Sequence, residues 1–234
     1  MNISPAQLIG RDETHLVEFS PGRRLCAEAS QALVALQADA RDAGFELAVA
    51  SAHRNFERQQ LIFNGKARGK RPVHDDRGEA LDLEVLPPRE ALHAILRFSA
   101  LPGGSRHHWG TDLDVYDAGA IPPGYQLQLS PQEVAPGGMF DPMHRWLDER
   151  MARDESHGFY RPYELDRGGV APERWHLSYA PLALDCARVF SAELLSEAWE
   201  GVDLALRPEI EGELDALVTR YMTVPADWCP AGEG

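Results

Sequence analysis

Two short segments, far apart in the sequence, concentrate imidazole and carboxylate side chains. The first covers residues 105–114 (SRHHWGTDLD), and the second covers residues 173–176 (ERWH). Imidazole and carboxylate groups are ligands that divalent transition metals bind. The H-E-x-x-H pattern, which puts two histidines on one helix, is absent from the sequence. If the two segments act together, the chain must therefore fold so that they lie side by side on something other than a single helix.

The local pattern around the first segment predicts how its side chains are presented. Residues 102–104 (PGG) predict a turn, and residues 112–116 alternate as a short strand. This alternation places Asp112 and Asp114 on the same face. A second strand containing His176 could lie beside the first and point its imidazole at the same position.

Two histidines and one carboxylate from these segments would form a three-ligand metal site. Zinc bound in this way keeps its fourth tetrahedral position for water and lowers the pKa of that water to ~7. Glu173 would then be placed to take the proton as a general base and to return it to the leaving amine. At this stage either His107 or His108, and either Asp112 or Asp114, fits the pattern.

The same segments resemble the D-alanyl-D-alanine carboxypeptidase family of zinc peptidases (VanY- and VanX-like), which is related in fold to lysostaphin-type enzymes and the hedgehog domain. The family pattern is S-x-H-x-x-G-x-A-x-D, followed by E-x-x-H, often with Trp before the last His. The residues in register are Ser105, His107, Gly110, Asp114, Glu173, Trp175 and His176. The resemblance implies that His107, Asp114 and His176 bind zinc. It also implies Glu173 as the catalytic base, with Ser105 anchoring the end of the substrate or bracing the site.

An upstream segment is similar to a further motif of the family. Residues 51–54 (SAHR), followed by Gln59 or Gln60, resemble an extended Ser-x-aromatic-Arg that leads into a helix containing a glutamine. The family arginine binds the substrate, so the resemblance implies this role for Arg54. A guanidinium suits it, because its planar fork pairs with both oxygens of a terminal carboxylate or steadies an oxyanion.

The sequence departs from the family pattern at two positions. Asp112 stands where the family has alanine. It could compete with Asp114 for the metal, or it could accept a hydrogen bond from a ligand imidazole. His53 replaces the usual aromatic residue of the upstream motif, which changes the shape of the adjacent subsite.

Predicted short strands in the middle and predicted helices towards both ends indicate an α+β fold, with helices flanking a small antiparallel sheet that carries the metal site. The predicted helices are 26–43, 55–64, 88–99, 143–151, 182–199 and 209–221, and the predicted strands are 45–50, 112–116, 125–129 and 175–179. The resemblance implies a hedgehog/DD-peptidase-like fold. We expect one zinc peptidase domain over residues 1–234, with its metal-site core at about 45–181 and a C-terminal helical extension at about 182–225.

Composition excludes several classes of partner. The chain has 234 residues and a formal net charge of −14, whereas proteins that bind nucleic acid through its phosphates need a basic surface. No stretch approaches the ~18 apolar residues of a membrane span. Acidic residues near the start lead us to expect a cytoplasmic protein, unless it is exported by another route or an export segment was removed. Cys26, Cys186 and Cys229 are sparse and widely spaced, which favours reduced thiols.

The resemblance implies substrates that are peptides with D-amino acids, from peptidoglycan stems or free dipeptides. We therefore expect a zinc-dependent D,D-carboxypeptidase or dipeptidase. The alternatives are an endopeptidase that cleaves within the stem peptide and a zinc-binding module without turnover, against which Glu173 argues because such a module needs no base. The sequence leaves open the length of the substrate, the oligomeric state, and whether residues 65–78 form solvated surface, a lid or a contact for an anionic substrate.

Overall fold

The alternating segments of the chain form two antiparallel sheets. The structure is a computed structural model that describes residues 3–224. The strands are β1 (Leu16–Ser20), β2 (Arg23–Cys26), β3 (Leu47–Ser51), β4 (Asp112–Asp117), β5 (Phe159–Tyr160) and β6 (His176–Tyr179). Strands β1 and β2 form a hairpin, and the other four form one sheet in the order β3-β4-β6-β5. Every neighbouring pair in this sheet is antiparallel.

Helices flank the four-stranded sheet at both ends of the chain. They are α1 (Pro5–Leu8), α2 (Ala27–Asp42), α3 (Phe56–Ala67), α4 (Pro88–Leu96), α5 (Pro131–Val134), α6 (Asp141–Ala152), α7 (Ala180–Val189), α8 (Ala192–Ala198), α9 (Arg207–Gly212) and α10 (Leu214–Leu217), with a π-helical turn at Val218–Met222. Helix α3 begins after Asn55, whose side chain accepts a hydrogen bond from the Arg58 amide at 2.9 Å. Within residues 3–224, every helix is too short or too polar to cross a bilayer.

The register of the sheet separates a polar face from an apolar one. Asp114 of β4 lies opposite Ser51 of β3 and His176 of β6, and Asp112 lies opposite Ser178. Because side chains alternate along a strand, the intervening residues point to the other face. That face packs against α2 in a buried apolar cluster, to which the sheet contributes Val49, Leu113, Val115 and Leu177.

The C-terminal extension packs against α3 and α4 in a second apolar cluster. This cluster includes Phe63, Leu92, Ile95, Trp199 and Leu217. The indole nitrogen of Trp199 also donates to the carbonyl of Pro102 at 2.8 Å. The extension therefore supports the turn at residues 102–104 that leads into the first polar segment.

The α+β prediction is confirmed, and most predicted elements lie within a few residues of the observed ones. Three element predictions are wrong. Residues 125–129 form an irregular segment and not a strand, because Leu129 has a φ of +53° and the alternate side chains Leu127 and Leu129 pack against a small cluster around Trp175. The helix predicted over 182–199 is two helices, since Phe190 is extended and Ser191 caps the second one. The helix predicted over 209–221 is divided into α9, α10 and the π-helical turn.

The first 22 residues, where none of the predicted helices or strands lies, contain regular structure. Helix α1 and strand β1 lie there, and β1 pairs with β2 across the turn at Pro21 and Gly22. The single-domain organisation over residues 1–234 stays a prediction. Of the three cysteines, Cys26 and Cys186 are buried free thiols, while Cys229 lies outside the described residues.

Candidate metal centre

The structure brings together the side chains of His107, Asp114 and His176. One possible donor atom from each lies within 4.8 Å of the others. The His107 Nε2 atom is 3.4 Å from Asp114 Oδ2, and the His176 Nδ1 atom is 3.3 Å from Asp114 Oδ1. The two imidazole rings meet nearly edge to face, with their centroids 4.9 Å apart. These three side chains therefore converge from a 3₁₀ turn (Arg106–Trp109) and two neighbouring strands.

Gly110 allows the chain to turn between His107 and β4. Its φ is +72°, and a Cβ atom there would lie only 2.2 Å from Leu16 Cδ2. Glycine therefore suits this left-handed position, where a side chain would also have to displace Leu16. The Gly110 carbonyl accepts a hydrogen bond from the Cys26 amide at 2.8 Å, which attaches this turn to the start of α2.

The three side chains fit a small divalent cation. Each is at least 94% buried, and Asp114 Oδ1 has no hydrogen-bond partner within the described residues. Two donor atoms that each lie ~2.1 Å from a tetrahedral zinc ion are ~3.4 Å apart. The observed separations of 3.3 and 3.4 Å match this spacing.

The electrostatics of the two histidines differ. Burial lowers the pKa of His107 to about 4, so its imidazole is neutral at pH 7 and keeps a lone pair for a metal. Burial also opposes a charge on His176, but the adjacent Asp112 and Asp114 carboxylates outweigh it and raise the pKa of His176 to about 10. Without a metal, His176 is therefore protonated at neutral pH, and its positive charge lies beside Asp114.

Asp112 lies outside the donor cluster and contacts one of its members from behind. Its Oδ1 atom accepts a hydrogen bond from His176 Nε2 at 2.9 Å. The same carboxylate accepts from Arg106 Nε at 2.8 Å, from Thr111 Oγ1 at 2.5 Å and from Ser178 Oγ at 3.0 Å. The sequence left open whether Asp112 binds the metal or accepts a hydrogen bond from a ligand imidazole, and the geometry supports the hydrogen bond. The bond leaves Nδ1 of His176 as the nitrogen that faces Asp114.

Arg106 balances the charge of Asp112 inside the protein. Both side chains are almost completely buried, at 2% and 0% exposure. The Arg106 guanidinium also donates to Tyr160 Oη at 3.0 Å and to Ser178 Oγ at 2.7 Å, and it lies 4.5 Å from the ring of Trp109. Because burial of an unpaired charge is costly, Asp112 and Arg106 depend on each other.

Glu173 lies beside the donor cluster without belonging to it. Its Oε2 atom is 3.6 Å from His176 Nδ1. Its amide donates to the carbonyl of Tyr163, and its carbonyl accepts from the His176 amide, both at 3.0 Å. Burial raises the pKa of Glu173 to about 7, so its carboxylate is poised to exchange a proton near neutral pH.

Arg54 reaches the same cavity from the segment between β3 and α3. Its guanidinium donates to Gln59 Oε1 at 2.7 Å and lies 3.4 Å from Ser51 Oγ. Gln60 instead donates to the carbonyl of Asp203 at 2.7 Å. The glutamine that supports Arg54 is therefore Gln59, which the sequence pattern alone did not distinguish from Gln60.

His108 holds the backbone of Arg54 and does not face the metal centre. Its Nε2 atom accepts from the Gly103 amide at 3.1 Å, so its Nδ1 donates to the Arg54 carbonyl at 2.6 Å. Burial lowers the pKa of His108 to about 3, which keeps it neutral for this role. The structure thus supports the choice of His107 over its neighbour.

The donor cluster, Glu173 and Arg54 all line one cavity of about 260 Å³. The predicted residues that line it are Arg54, Ser105, His107, Asp114, Glu173, Trp175 and His176. Phe98, Tyr163, Val170 and Tyr221 also line it, and the sequence analysis assigned none of them to the site. They are single aromatic or aliphatic residues outside any motif, so no sequence signal marks them. Residues 65–78 do not contribute to this lining.

Two proteins from Haemophilus influenzae, both described only as uncharacterised, are similar in sequence. One is 48% identical over 105 residues, which is 43% of this chain and 72% of that protein. The other is 33% identical over 124 residues, which is 52% of this chain and 92% of that protein.

Among solved structures, VanYB in complex with D-alanine-D-alanine is 24% identical, with 85% of this chain and 88% of that chain covered and a TM-score of 0.49. The sequence model of VanY D-alanyl-D-alanine carboxypeptidase matches residues 22–182, which contain every side chain of the donor cluster, Glu173 and Arg54. The chain belongs to the VanY D-alanyl-D-alanine carboxypeptidase family.

Proposed function

We propose that this protein is a zinc-dependent peptidase that hydrolyses D-alanyl-D-alanine-type bonds in peptidoglycan precursors or fragments, as a carboxypeptidase or dipeptidase. The observation that carries the proposal is a buried His107–Asp114–His176 cluster with Glu173 next to it in one cavity. The family of the chain supports the same reaction class.

His107, Asp114 and His176 would hold the metal. Two imidazoles and one carboxylate are a donor set that zinc accepts, and His176 would give up the proton on its Nδ1 when it binds the metal. Three protein ligands leave one position free. When bound, zinc supplies a Lewis acid for the scissile carbonyl and lowers the pKa of water. Asp112 keeps His176 in the required orientation through the bond to Nε2.

Glu173 would move the proton. Its carboxylate accepts a proton from the attacking water and delivers it to the nitrogen of the departing residue. A buried carboxyl whose pKa is raised to about 7 suits both steps, because it is neither a permanent anion nor a permanent acid at neutral pH.

Arg54 would orient the substrate. Its guanidinium faces the cavity while Gln59 and Ser51 hold it from the other side. It can pair with the terminal carboxylate of a peptide or with the oxyanion that develops at the scissile carbonyl. Ser105, at the start of the 3₁₀ turn, lines the same cavity and would anchor the end of the substrate or brace the site.

The test combines metal content with D-alanine release from a panel of peptides that end in D-alanine. We expect about one zinc ion per chain and release that stops when a chelator removes it. Glu173→Ala should retain zinc and lose about 10²–10⁴-fold in kcat, the usual contribution of a general base. Glu149→Ala, which removes an exposed acid from α6, is the matched control and should keep full activity.

Full activity in Glu173→Ala would sink the mechanism. Cleavage inside the stems of intact peptidoglycan, with no D-alanine released, would favour the endopeptidase alternative. Zinc binding without turnover of any peptide would favour the non-catalytic module. The cytoplasmic location stays a prediction, which cell fractionation tests.

A further inference from the structure

A second cavity, of about 600 Å³, adjoins the catalytic one. It lies between the turn of the β1–β2 hairpin, the end of β3 and the first turn of α3. Arg54 lines both cavities. Ser51 lines the second cavity and lies opposite Asp114 in the sheet register. The two cavities therefore share Arg54, and the second one reaches the strand whose Ser51 lies opposite a member of the donor cluster.

Four arginines line this second cavity, which we name the arginine cavity after Arg23, Arg24, Arg54 and Arg58. Its one acidic residue is Glu13, which already pairs with Arg24 and accepts a hydrogen bond from Asn55 at 3.4 Å. Such a concentration of positive charge contrasts with the net charge of −14 for the whole chain.

Within the described part of the chain, two of these guanidinium groups lack a protein partner. Arg23 and Arg58 form no ion pair or side-chain hydrogen bond with any residue from 3 to 224. Unpaired donors that share a cavity provide a binding site for an anion with several oxygens.

We propose that the arginine cavity binds side-chain carboxylates in the part of the substrate that precedes the cleaved bond. This inference rests on the proposed function. A carboxypeptidase removes one residue from the C-terminal end, so whatever part of the peptide extends beyond the catalytic cavity precedes the scissile bond. The cavity would therefore select anionic peptides over neutral ones.

The test compares two peptides that both end in D-alanyl-D-alanine and differ only in one upstream side chain, a carboxylate or its amide. We expect the wild-type protein to prefer the carboxylate about tenfold in kcat/KM, since two partly exposed guanidiniums each contribute a few-fold. In the double variant Arg23→Gln/Arg58→Gln, the ratio should fall towards one. Arg41→Gln removes an exposed arginine outside the cavity and should keep the wild-type ratio.

Equilibrium binding of the product peptides, which end in a single D-alanine, gives a readout that does not need turnover. The acid should bind more tightly than the amide, and raised salt should reduce the difference. Equal affinity and equal kcat/KM for the acid and the amide would overturn the proposal that the arginine cavity binds carboxylates. If neither peptide releases D-alanine but the acid still binds more tightly through Arg23 and Arg58, the proposed function fails and the cavity stands.

Discussion

The floor and the wall of the catalytic cavity are built in opposite ways. We use "floor" for Asp114 and His176, which line the cavity from β4 and β6, together with Asp112, which supports His176 from behind without lining the cavity. We use "wall" for Phe98, Val170 and Tyr221. On the floor, hydrogen bonds and charge hold each side chain. The wall is mainly apolar packing. Hydrogen bonds constrain direction as well as distance, whereas apolar contacts mainly fill space. We therefore expect the floor to determine the chemistry and the wall to determine which substrates fit.

One wall residue, Tyr221, lies beyond the part of the chain that matches the family, whereas the floor and the other two wall residues, Phe98 and Val170, lie inside it. That part covers residues 22–182. Tyr221 of the wall belongs to the C-terminal extension beyond that part, where its hydroxyl lies 2.8 Å from His93 Nδ1. We infer that substitutions on the floor affect metal binding and turnover, while substitutions in the wall affect selectivity. The following predictions test this difference, from the largest expected effect to the smallest.

The sharpest test on the floor is Asp112→Ala, which restores the residue of the family pattern. Loss of this acceptor should weaken zinc binding by about 10–100-fold, because His176 loses the bond that orients it. It should also lower the free energy of unfolding by about 3–5 kcal/mol, because Arg106 is left buried and unpaired. Competition with a chelator and chemical denaturation measure the two effects.

The double variant Asp112→Ala/Arg106→Leu separates positioning from stability. Removing both charges should recover much of the lost stability, since no charge then remains uncompensated in this network. Zinc affinity should stay low, because His176 still lacks its acceptor. If affinity recovers together with stability, Asp112 acts only as a counter-charge for Arg106, and the floor does not orient its ligand as described.

Substitutions of two adjacent glutamines, Gln59 and Gln60, test whether Arg54 depends on its hydrogen bond to Gln59. Gln59→Leu removes the oxygen that accepts from Arg54, and we expect kcat/KM to fall about tenfold, the value of one charge-assisted hydrogen bond. Gln60→Leu removes only a contact to the Asp203 carbonyl and should change kcat/KM less than twofold. Steady-state kinetics with melting temperatures measure both. Equal losses would show that Arg54 does not depend on Gln59.

The smallest effect is expected in the wall. Tyr221→Ala should raise kcat/KM for a peptide with a bulkier C-terminal residue, relative to D-alanine, by about three- to tenfold, because space opens beside the substrate. A ratio of two substrates cancels any general loss of folded protein. Tyr221→Phe keeps the ring and should keep the wild-type ratio. A tenfold loss of zinc affinity in Tyr221→Ala would contradict the division between floor and wall.

Most of the candidate site could be predicted because its residues lie in short motifs. His107 and Asp114 are seven residues apart, with Gly110 between them as a residue type that suits that turn. Glu173 and His176 are similarly close, so local backbone geometry already relates them. Tyr163 and Tyr221 reach the cavity from distant segments, and nothing in their local sequence distinguishes them from other packed aromatic residues.

The strand predicted at residues 125–129 was wrong for a similar reason, because the local sequence does not specify which distant residues a segment contacts. Alternating polarity reports that one face is covered, not what covers it. Leu127 and Leu129 are covered by a small cluster of side chains, and no strand within residues 3–224 pairs with this segment. The hairpin formed by β1 and β2 was not predicted, because the residues of these strands do not alternate regularly between polar and apolar types.

By itself, the sequence determined the α+β class, the two motifs and the choice of side chains able to bind a metal, because these depend on residue type and local spacing. Only the tertiary structure decided that Asp112 accepts from His176 while Asp114 faces the second histidine, and that Gln59 and not Gln60 supports Arg54. The physical reason is that a hydrogen bond depends on distance and direction to within a few tenths of an ångström. Such differences between neighbouring residues arise only when strands and helices from distant parts of the chain pack together.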